Sequence, residues 1–303
     1  MSRKKALILI NNKAGIGQGH DDTFDIVTQA AKSGYEPLIF PIIPGTKLTS
    51  EILIEEYGSK ADVIMCVGGD GTLNHVMNSI MEIKEEDRPP IAYVPSGSTN
   101  DFARCLGIPD TRKKAINAAF KGKKFSYDIG KMNDRYFNYV AAFGAFSEIS
   151  YDTDQGLKNV LGYAAYVINA ITRFPKNIGY GIKMTIETGD RSFEGEFLFG
   201  AVCNSVSIGG MMLLGNADVK LDDGSMELLL IRSPKNLADI NSILTSLATG
   251  NPDNPHICLA QADRVSFRSE VPVSWAVDGE YGGDHADTKI CVLPRAASII
   301  ISK

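Results

Sequence analysis

The 303-residue sequence lacks cysteine pairs spaced for metal or disulfide chemistry. Its five cysteines are scattered, odd in number and include no C-x-x-C pair. We therefore expect neither a zinc site nor a disulfide framework, and a reducing cytoplasm suits the chain. The five are Cys66, Cys105, Cys203, Cys258 and Cys291.

Excess positive charge and long apolar runs are also missing. The net charge is −5, so no overall basic field recruits nucleic acid, and we expect no nucleic-acid partner. No stretch approaches the ~18 apolar residues of a membrane span. The start, MSRKKALILINNKAG, is basic and then apolar like a signal peptide, but the run Ala6–Ile10 is too short and no cleavage site follows. We interpret it as a buried first strand.

The first 125 residues do contain an alternation of strand and helix patterns. Short continuous apolar runs, such as residues 4–10 and 61–67, are typical of strands buried on both faces. Helix patterns follow the strands, the first of them capped by Asp21 and Asp22. Repeated βα units predict a parallel sheet covered by helices, a Rossmann-like three-layer α/β domain over residues 1–127.

The second half, residues 128–292, has a different pattern. Alternating apolar and polar residues with bends at Asn133-Asp134 and Gly189-Asp190 predict antiparallel hairpins, and together a β-sandwich. Helices are predicted only near 157–172 and 234–248. The last segment, 293–303, either ends the sandwich or returns to the first domain, and its periodicity does not decide between the two.

Three loops rich in glycine and asparagine each follow a predicted strand: NNKAGIGQG, GGDGT and PSGSTND. The carboxyl ends of parallel strands form one edge of the sheet, so these loops cluster there as a ligand site. The glycines of GGDGT, together with the helix N-terminus after Thr72, suit a phosphate. A tight strand-to-helix turn is an equal alternative, and Asp70 by itself would repel a phosphate.

Several segments together resemble the diacylglycerol kinase catalytic-domain family, in its bacterial soluble lipid kinase branch. GGDGTLN (68–74) is similar to the nucleotide loop that these enzymes share with NAD kinases. PSGSTNDFAR (95–104), the strand pair at 127–144, NADVKLDDGSMEL (216–228) and VDGEY (277–281) resemble later family segments, in family order. The matches extend over nearly the whole chain, whereas NAD kinases share only the first.

The resemblance implies an ATP-dependent kinase that uses Mg²⁺ to phosphorylate the hydroxyl of diacylglycerol or a related lipid. The first domain would bind ATP, with Asp70 acting through magnesium. Asp101 and Asp128 are candidates for the same metal cluster; the alternatives are that Asp101 caps a short helix and that Asp128 lies in a turn. This removes the electrostatic objection, because a bridging cation reverses the repulsion between carboxylate and phosphate. The implied nucleotide-binding residues are Asn11, Asn12, Lys13, Ala14, Gly15, Gly68, Gly69, Asp70, Gly71, Thr72, Leu73, Asn74, Ser98 and Asp101.

The family's D-G-E motif supplies the catalytic base, which makes Asp278 and Glu280 candidates beside Asp70. Asp-Gly between apolar strands is also the strongest short hairpin signal, so a plain turn is the alternative. A carboxylate suits the chemistry, because the attacking hydroxyl must lose its proton. The resemblance does not assign the two roles.

The same resemblance implies a second, structural Mg²⁺ in KLDDGSM. Its ligands would be the Asp223 side chain and the carbonyls of Lys220 and Ser225, and a hard cation prefers such oxygens. A hairpin is again the alternative. The implied partners are ATP and a lipid at the inner face of a membrane, reached from the cytoplasm through basic clusters at 112–114 and 121–124. A homodimer stays open.

Three departures from the family pattern concern the nucleotide side. His75 replaces the usual glutamate after GGDGTLN, NNKAG lacks the usual proline, and the following IGQGHDD is acidic rather than basic. A charged His75 near the phosphates would compensate in part, and a helix-face histidine without a role is the alternative. The departures keep two other hypotheses open: a non-enzymatic nucleotide- or lipid-binding regulator, and an NAD kinase-like phosphotransferase.

Overall fold

The computed structural model describes residues 3–11, 19–43, 45–97, 100–109, 111–144, 181–204, 220–251 and 253–302. Within it the chain divides into two compact units. The first contains residues 1–127 and 295–303, and the second contains residues 128–294. The protein is thus of mixed α/β class. No helix of the described part is long and apolar enough to cross a membrane.

The first unit contains parallel strands joined by helices. The strands are β1 (Lys4–Asn11), β2 (Tyr35–Ile42), β3 (Val63–Gly68) and β4 (Ile91–Pro95), in the order β2-β1-β3-β4. All the pairings among them are parallel. The central strand β3 is buried throughout, which explains its uninterrupted apolar sequence. Strand β2 ends this order and is only half-buried, as edge strands of covered sheets are.

Five helices of the described chain lie in this unit: α1 (Gly19–Lys32), α2 (Ser50–Tyr57), α3 (Asp70–Met81), α4 (Asp101–Cys105) and α5 (Arg112–Lys121). Helix α3 buries Leu73, Val76, Met77 and Ile80, at the three- and four-residue spacing of one helix face. Helix α1 begins before Asp21 and Asp22, so neither residue is its N-cap as predicted. The helix starts two residues earlier than predicted, at Gly19, so the acidic pair lies inside its first turn.

The second unit is mainly antiparallel. Its strands are β5 (Lys123–Met132), β6 (Arg135–Phe137), β7 (Val140–Gly144), β8 (Ile182–Thr188), β9 (Ser192–Cys203), β10 (Met226–Arg232), β11 (Ile257–Ala262), β12 (Arg264–Val277) and β13 (Glu280–Ile301). Helix α6 (Leu237–Thr249) connects β10 to β11, close to the predicted 234–248. The helix predicted near 157–172 lies outside the described residues.

Two long strands organise this sheet. Both β9 and β12 pair with β7 along one part of their length and with β8 along another. The pairings enclose one apolar cluster that includes Trp275, whose ring lies 5.1 Å from that of Phe143 and 5.0 Å from that of Phe267. Such aromatic contacts add about 0.5–1.5 kcal/mol each beyond the burial of their area.

The final strand β13 answers the question left open for residues 293–303. Its first part pairs antiparallel with β12, from Glu280 to Cys291. Its last part belongs to the first unit, where Ile299 pairs in parallel with Ile91 of β4. The ambiguous periodicity reflects a single strand that contributes to both units.

Candidate active site

The carboxyl ends of β1, β3 and β4 lie side by side, as parallel pairing requires. Ile10 pairs with Val67, and Gly68 pairs with Pro95. Asn11 at the end of β1 donates from Nδ2 to Thr72 Oγ1 in the first turn of α3, at 2.8 Å. Two of the three predicted loops, those after β3 and β4, are therefore adjacent, and Asn11, which opens the third, contacts the one after β3.

Glycine allows the backbones of these two loops to touch. A Cβ built on Gly97 would lie 2.6 Å from the Gly69 Cα, which is closer than real side chains approach. The Ser96 N–H donates to the Gly68 carbonyl at 2.8 Å, which continues the strand pairing by one residue. Any larger residue at position 97 would push the loops apart.

Asn100 stabilises the second loop in a way that only a few side chains could. Its φ of 50° is in the left-handed region that asparagine tolerates better than most residues. Its side chain accepts from the Gly97 N–H and donates to the Gly97 carbonyl, both at 2.9 Å. The motif PSGSTND predicts a ligand loop here but does not by itself assign a role to Asn100 or Gly97. A glycine followed three residues later by asparagine is the sequence pattern that could have indicated their contact.

Two aspartates come together where α3 and α4 begin. The Asp101 N–H donates to Asp70 Oδ2 at 3.1 Å, across 31 residues of sequence. Asp101 is buried, and burial raises the pKa of its carboxyl, although the nearby Arg104 counteracts part of the effect. A cation beside this pair would offset the desolvation that disfavours its charged form.

The remaining residues of GGDGTLN differ in exposure. Leu73 and Asn74 are buried, and the backbone and side-chain carbonyls of Asn74 accept from Asn78 Nδ2 at 2.9 and 3.2 Å. Leu73 belongs to the packed face of α3. Their side chains thus support the helix, whereas Gly69, Asp70 and Gly71 lie in the turn and the first helical residues.

His75 is directed toward a neighbouring helix. Its Nδ1 lies 3.1 Å from Glu51 Oε1 on α2, and both side chains are more than half exposed. His75 follows Asp70 by five residues, which places it about 140° around the helix axis. The hypothesis that His75 compensates charge near the phosphates is therefore not favoured, and the helix-face alternative agrees with this contact.

In the second unit, Asp278 and Gly279 form the two-residue turn between β12 and β13. Their φ angles are 48° and 86°, and Val277 pairs with Glu280 across the turn. Two consecutive positive φ values are typical of the type I′ turn that Asp-Gly favours. The hairpin alternative for VDGEY is thus correct as local structure.

The Asp278 side chain does more than form this turn. It is 3% exposed, and its carboxylate accepts four hydrogen bonds. Oδ2 accepts from Asn138 N–H and Nδ2 at 2.7 and 3.0 Å, and Oδ1 accepts from the N–H groups of Tyr139 and Val140 at 3.0 and 3.1 Å. These donors are residues 138–140, which lead from β6 into the start of β7, so Asp278 connects the hairpin to that segment.

Glu280 is the exposed carboxylate of the same motif. It is the first residue of β13, two positions after Asp278, and therefore on a rigid backbone. The two candidates for the base therefore differ: Asp278 is buried and accepts hydrogen bonds from the protein, whereas Glu280 is exposed.

In the segment for which a structural metal is implied, both oxygens of the Asp223 carboxylate already accept hydrogen bonds. Asp223 is exposed; its Oδ1 accepts from the Ser225 N–H and its Oδ2 from Gln261 Nε2, both at 3.1 Å. Asp128, fully buried on β5, accepts from the Gly224 N–H at 2.6 Å. Asp128 thus supports this turn in the second unit. Within the described ranges no cluster of three or more His, Cys, Asp or Glu is arranged to hold a metal.

Five of the predicted nucleotide-binding residues lie outside the described residues: Asn12, Lys13, Ala14, Gly15 and Ser98. Lys220 is exposed at the start of the Asp223 turn.

The chain matches two family models. Residues 5–132 match the diacylglycerol kinase catalytic domain, and residues 143–301 match the YegS C-terminal NAD kinase beta sandwich-like domain. Among curated proteins, diacylglycerol kinases of Staphylococcus aureus and Staphylococcus saprophyticus are each 34% identical to it. The alignments cover 93% of this chain and 87% and 90% of those proteins.

Solved structures are also similar. A Bacillus anthracis protein described as a candidate diacylglycerol kinase superimposes with a TM-score of 0.85 at 26% identity, covering 100% of this chain and 96% of that one. A second structure of the same description gives a TM-score of 0.82 at 24% identity.

Proposed function

This chain belongs to the diacylglycerol kinase catalytic-domain family and is a lipid kinase, and we propose that it transfers the γ-phosphate of ATP to the free hydroxyl of diacylglycerol or a related lipid. The observation that carries the proposal is the pairing of Asp70 with Asp101 at the junction of two touching glycine loops. A triphosphate needs close backbone approach and charge neutralisation, and this arrangement suits both.

The acidic pair fits Mg²⁺ in its donor chemistry. Magnesium commonly takes one or two protein carboxylates and completes its shell with water and substrate phosphates, so a cluster of three acids is not needed. Asp70 and Asp101 would hold the ion, which when bound neutralises charge on the transferring phosphoryl group. The N–H groups at the start of α3 would face the phosphates, as its dipole favours.

Of the two carboxylates in the D-G-E motif, Glu280 is the better general base. It is exposed, so it can reach a lipid hydroxyl and accept its proton as the oxygen attacks phosphorus. Asp278 already accepts four hydrogen bonds, so it would hold the turn that presents Glu280. We assign the base to Glu280 and a positioning role to Asp278.

We assign ATP binding to the first unit, as a Rossmann-like three-layer domain, and lipid binding to the second, as a β-sandwich. Asn11, Thr72 and the glycines of both loops support the nucleotide, with Asn12 to Gly15 and Ser98 expected to add contacts. In the second unit, Asp223 with the carbonyls of Lys220 and Ser225 offers oxygens to a structural Mg²⁺. Binding there would have to displace the Gln261 amide from Asp223.

Membrane contact is proposed at the inner face, by peripheral attachment from the cytoplasm. Helix α5 begins with Arg112, Lys113 and Lys114, an unfavourable choice near the positive end of a helix dipole. Exposed Lys121, Lys123 and Lys124 follow close by in sequence. Such clusters attract anionic lipid headgroups although the whole chain is acidic. A homodimer is compatible with the proposal but not required by it.

The test is a screen for Mg²⁺-dependent ATP consumption against diacylglycerol, sphingoid bases, phosphatidylglycerol and NAD, with the phosphorylated product identified. We expect a lipid phosphate monoester, abolished by EDTA and by Glu280→Gln. Phosphorylated NAD would support the NAD kinase-like alternative. No product from any acceptor, with ATP still bound, would support the non-enzymatic regulator.

A further inference from the structure

The end of the hairpin that contains Glu280 is separated from the rest of its two strands by a change of register. Between Trp275 and Ala276 of β12 the pairing with β13 shifts by one residue, so β13 has one extra residue there. Such a β-bulge interrupts the ladder and bends the strand locally. We call residues 276–281, beyond the bulge, the hairpin tip.

The two halves of the hairpin tip contact the rest of the second unit differently. The β12 half pairs with β7, and the Asp278 carboxylate accepts from residues 138–140. The β13 half is contacted by Arg135 of β6, whose Nη1 donates to the Tyr281 carbonyl. Glu280 lies between Asp278 and Tyr281 in the sequence, so residues 135–140 contact the chain on both sides of it.

The position of the Glu280 carboxylate depends on this backbone. Its side chain is exposed, and in the part of the chain that the structure describes no hydrogen bond or ion pair joins it to another residue. A general base must lie within hydrogen-bond reach of the proton that it accepts, and small displacements of reacting groups reduce turnover. Contacts that fix the hairpin tip therefore bear on the chemistry.

Arg135 reaches Tyr281 from a segment that is itself bound to β13. The turn between β5 and β6 contains Asn133, whose N–H donates to the Lys289 carbonyl at 2.9 Å. The Lys289 N–H in turn donates to Asn133 Oδ1 at 3.0 Å. Arg135 pairs with Met132 across this turn and is half-buried. Its planar guanidinium has donors in fixed directions, which suits it to hold a carbonyl in place.

We propose that Arg135 is a positioning residue for Glu280: by holding the Tyr281 carbonyl it fixes the β13 half of the hairpin tip, as Asp278 fixes the β12 half. The inference rests on the proposed function, because it needs Glu280 to be the general base. Arg135 itself takes no part in the proton transfer.

Two other roles for Arg135 predict different measurements. An arginine that only stabilises the fold would affect the free energy of unfolding and leave kcat unchanged. An arginine that binds lipid or nucleotide would affect a KM value first. A positioning role predicts a loss in kcat, with both KM values and the free energy of unfolding nearly unchanged.

The experiment compares Arg135→Met, which keeps the length of the side chain but removes its donors, with Arg135→Lys, which keeps a donor. Steady-state kinetics with diacylglycerol in mixed micelles and Mg²⁺–ATP give kcat and both KM values, and urea unfolding is measured on the same samples. We expect kcat of Arg135→Met to fall about 10- to 100-fold, since a displaced base transfers protons less effectively. Arg135→Lys should recover most of that turnover.

Two further variants connect this effect to the base. In a Glu280→Gln background, Arg135→Met should have little additional effect, because residues that act as a unit are not additive. The matched control is Arg268→Met, an exposed arginine of β12 paired with Glu187, which should keep the kcat of the unsubstituted protein.

Unchanged kcat in Arg135→Met, or a loss confined to a KM value or to stability, would overturn the inference and leave the proposed function intact if Glu280→Gln still loses turnover. An equal fall in kcat in the Glu280→Gln background would also overturn it, since Arg135 would then act independently of the base. Near-normal turnover in Glu280→Gln would contradict the assignment of the base, and this inference with it.

Discussion

Asp70 in the first unit and Asp278 in the second both stand beside glycine just past the end of a strand, yet their surroundings differ. Asp70 begins a helix and its carboxylate contacts the start of α4 through Asp101. Asp278 is in a hairpin turn, and four donors from residues 138–140 surround its carboxylate. The same Asp-Gly pair is thus a proposed metal ligand in one place and a structural acceptor in the other, according to which groups approach the carboxylate.

The largest effect should separate Glu280 from Asp278. Glu280→Gln removes the proposed base, so we expect kcat to fall about 10²- to 10⁴-fold with the free energy of unfolding nearly unchanged. Steady-state kinetics with diacylglycerol in mixed micelles measures it. Glu270→Gln, an exposed glutamate of β12 paired with Lys183, is the matched control and should retain turnover. Near-normal kcat in Glu280→Gln would return the base to Asp278.

The next effect concerns stability. Asp278→Ala leaves the buried donors of Asn138, Tyr139 and Val140 without an acceptor, and we expect a loss of about 3 kcal/mol or more in the free energy of unfolding. Urea denaturation followed by circular dichroism provides the measurement. Asp190→Ala, in the exposed turn between β8 and β9, should lose much less. Equal losses of unfolding free energy in the two variants would show that the four hydrogen bonds to Asp278 do not stabilise the fold.

A third prediction tests the close contact between Gly97 and Gly69, the residue before Asp70. Gly97→Ala places a Cβ against the Gly69 Cα, so the two loops must separate. We expect a loss of about 1–3 kcal/mol in stability, together with weaker nucleotide binding. Gly189→Ala is the control, because a Cβ there would meet nothing within 4 Å. A Gly97→Ala protein with unaltered stability and affinity would contradict the tight contact.

The smallest effect is expected for His75, although it departs from the family pattern. The exposed pair with Glu51 should be worth less than about 0.5 kcal/mol, so His75→Ala should leave turnover and stability almost unchanged. Burial alone would raise the pKa of Glu51, but its hydrogen bonds and His75 lower it overall. A lowered carboxyl pKa stabilises the fold at pH values above the ordinary glutamate pKa of 4.5, and this contribution is lost as the pH falls through the folded pKa.

Thermal unfolding of the His75→Ala and unsubstituted proteins, followed as the pH is lowered from 7, measures this contribution. Their small difference in melting temperature should shrink once the pH falls below the folded pKa of Glu51, because its carboxylate is then protonated. A large drop in kcat for His75→Ala would place the histidine in the site after all.

Much of the fold could be predicted because local pattern and tertiary environment agree. The apolar run of β3 is buried on both faces, and the turn residues Asn133, Asp278 and Gly279 have the positive φ values that these residue types accept. The start of α1 was predicted too late, because an acidic pair within a first turn looks like a cap. The pairing of β13 with both β12 and β4 could not be predicted from its periodicity, because both partner strands bury alternate residues of β13.

The candidate site was predictable to a lesser degree. The motifs indicated Asp70, Asp101, Asp278 and Glu280 as a group, but not their separate roles. Asp128 looked like a member of the Asp70 cluster, and its carboxylate instead accepts from Gly224.

The sequence by itself determined the family, the order of elements and the glycine turns, since these depend on local periodicity and on residues that tolerate unusual backbone angles. Only the tertiary structure decided which carboxylates are saturated by donors and which are exposed. The donors to Asp278 come from about 140 residues away in the sequence. Hydrogen bonds and charges act over a few ångströms of space, and separation along the chain says little about that distance.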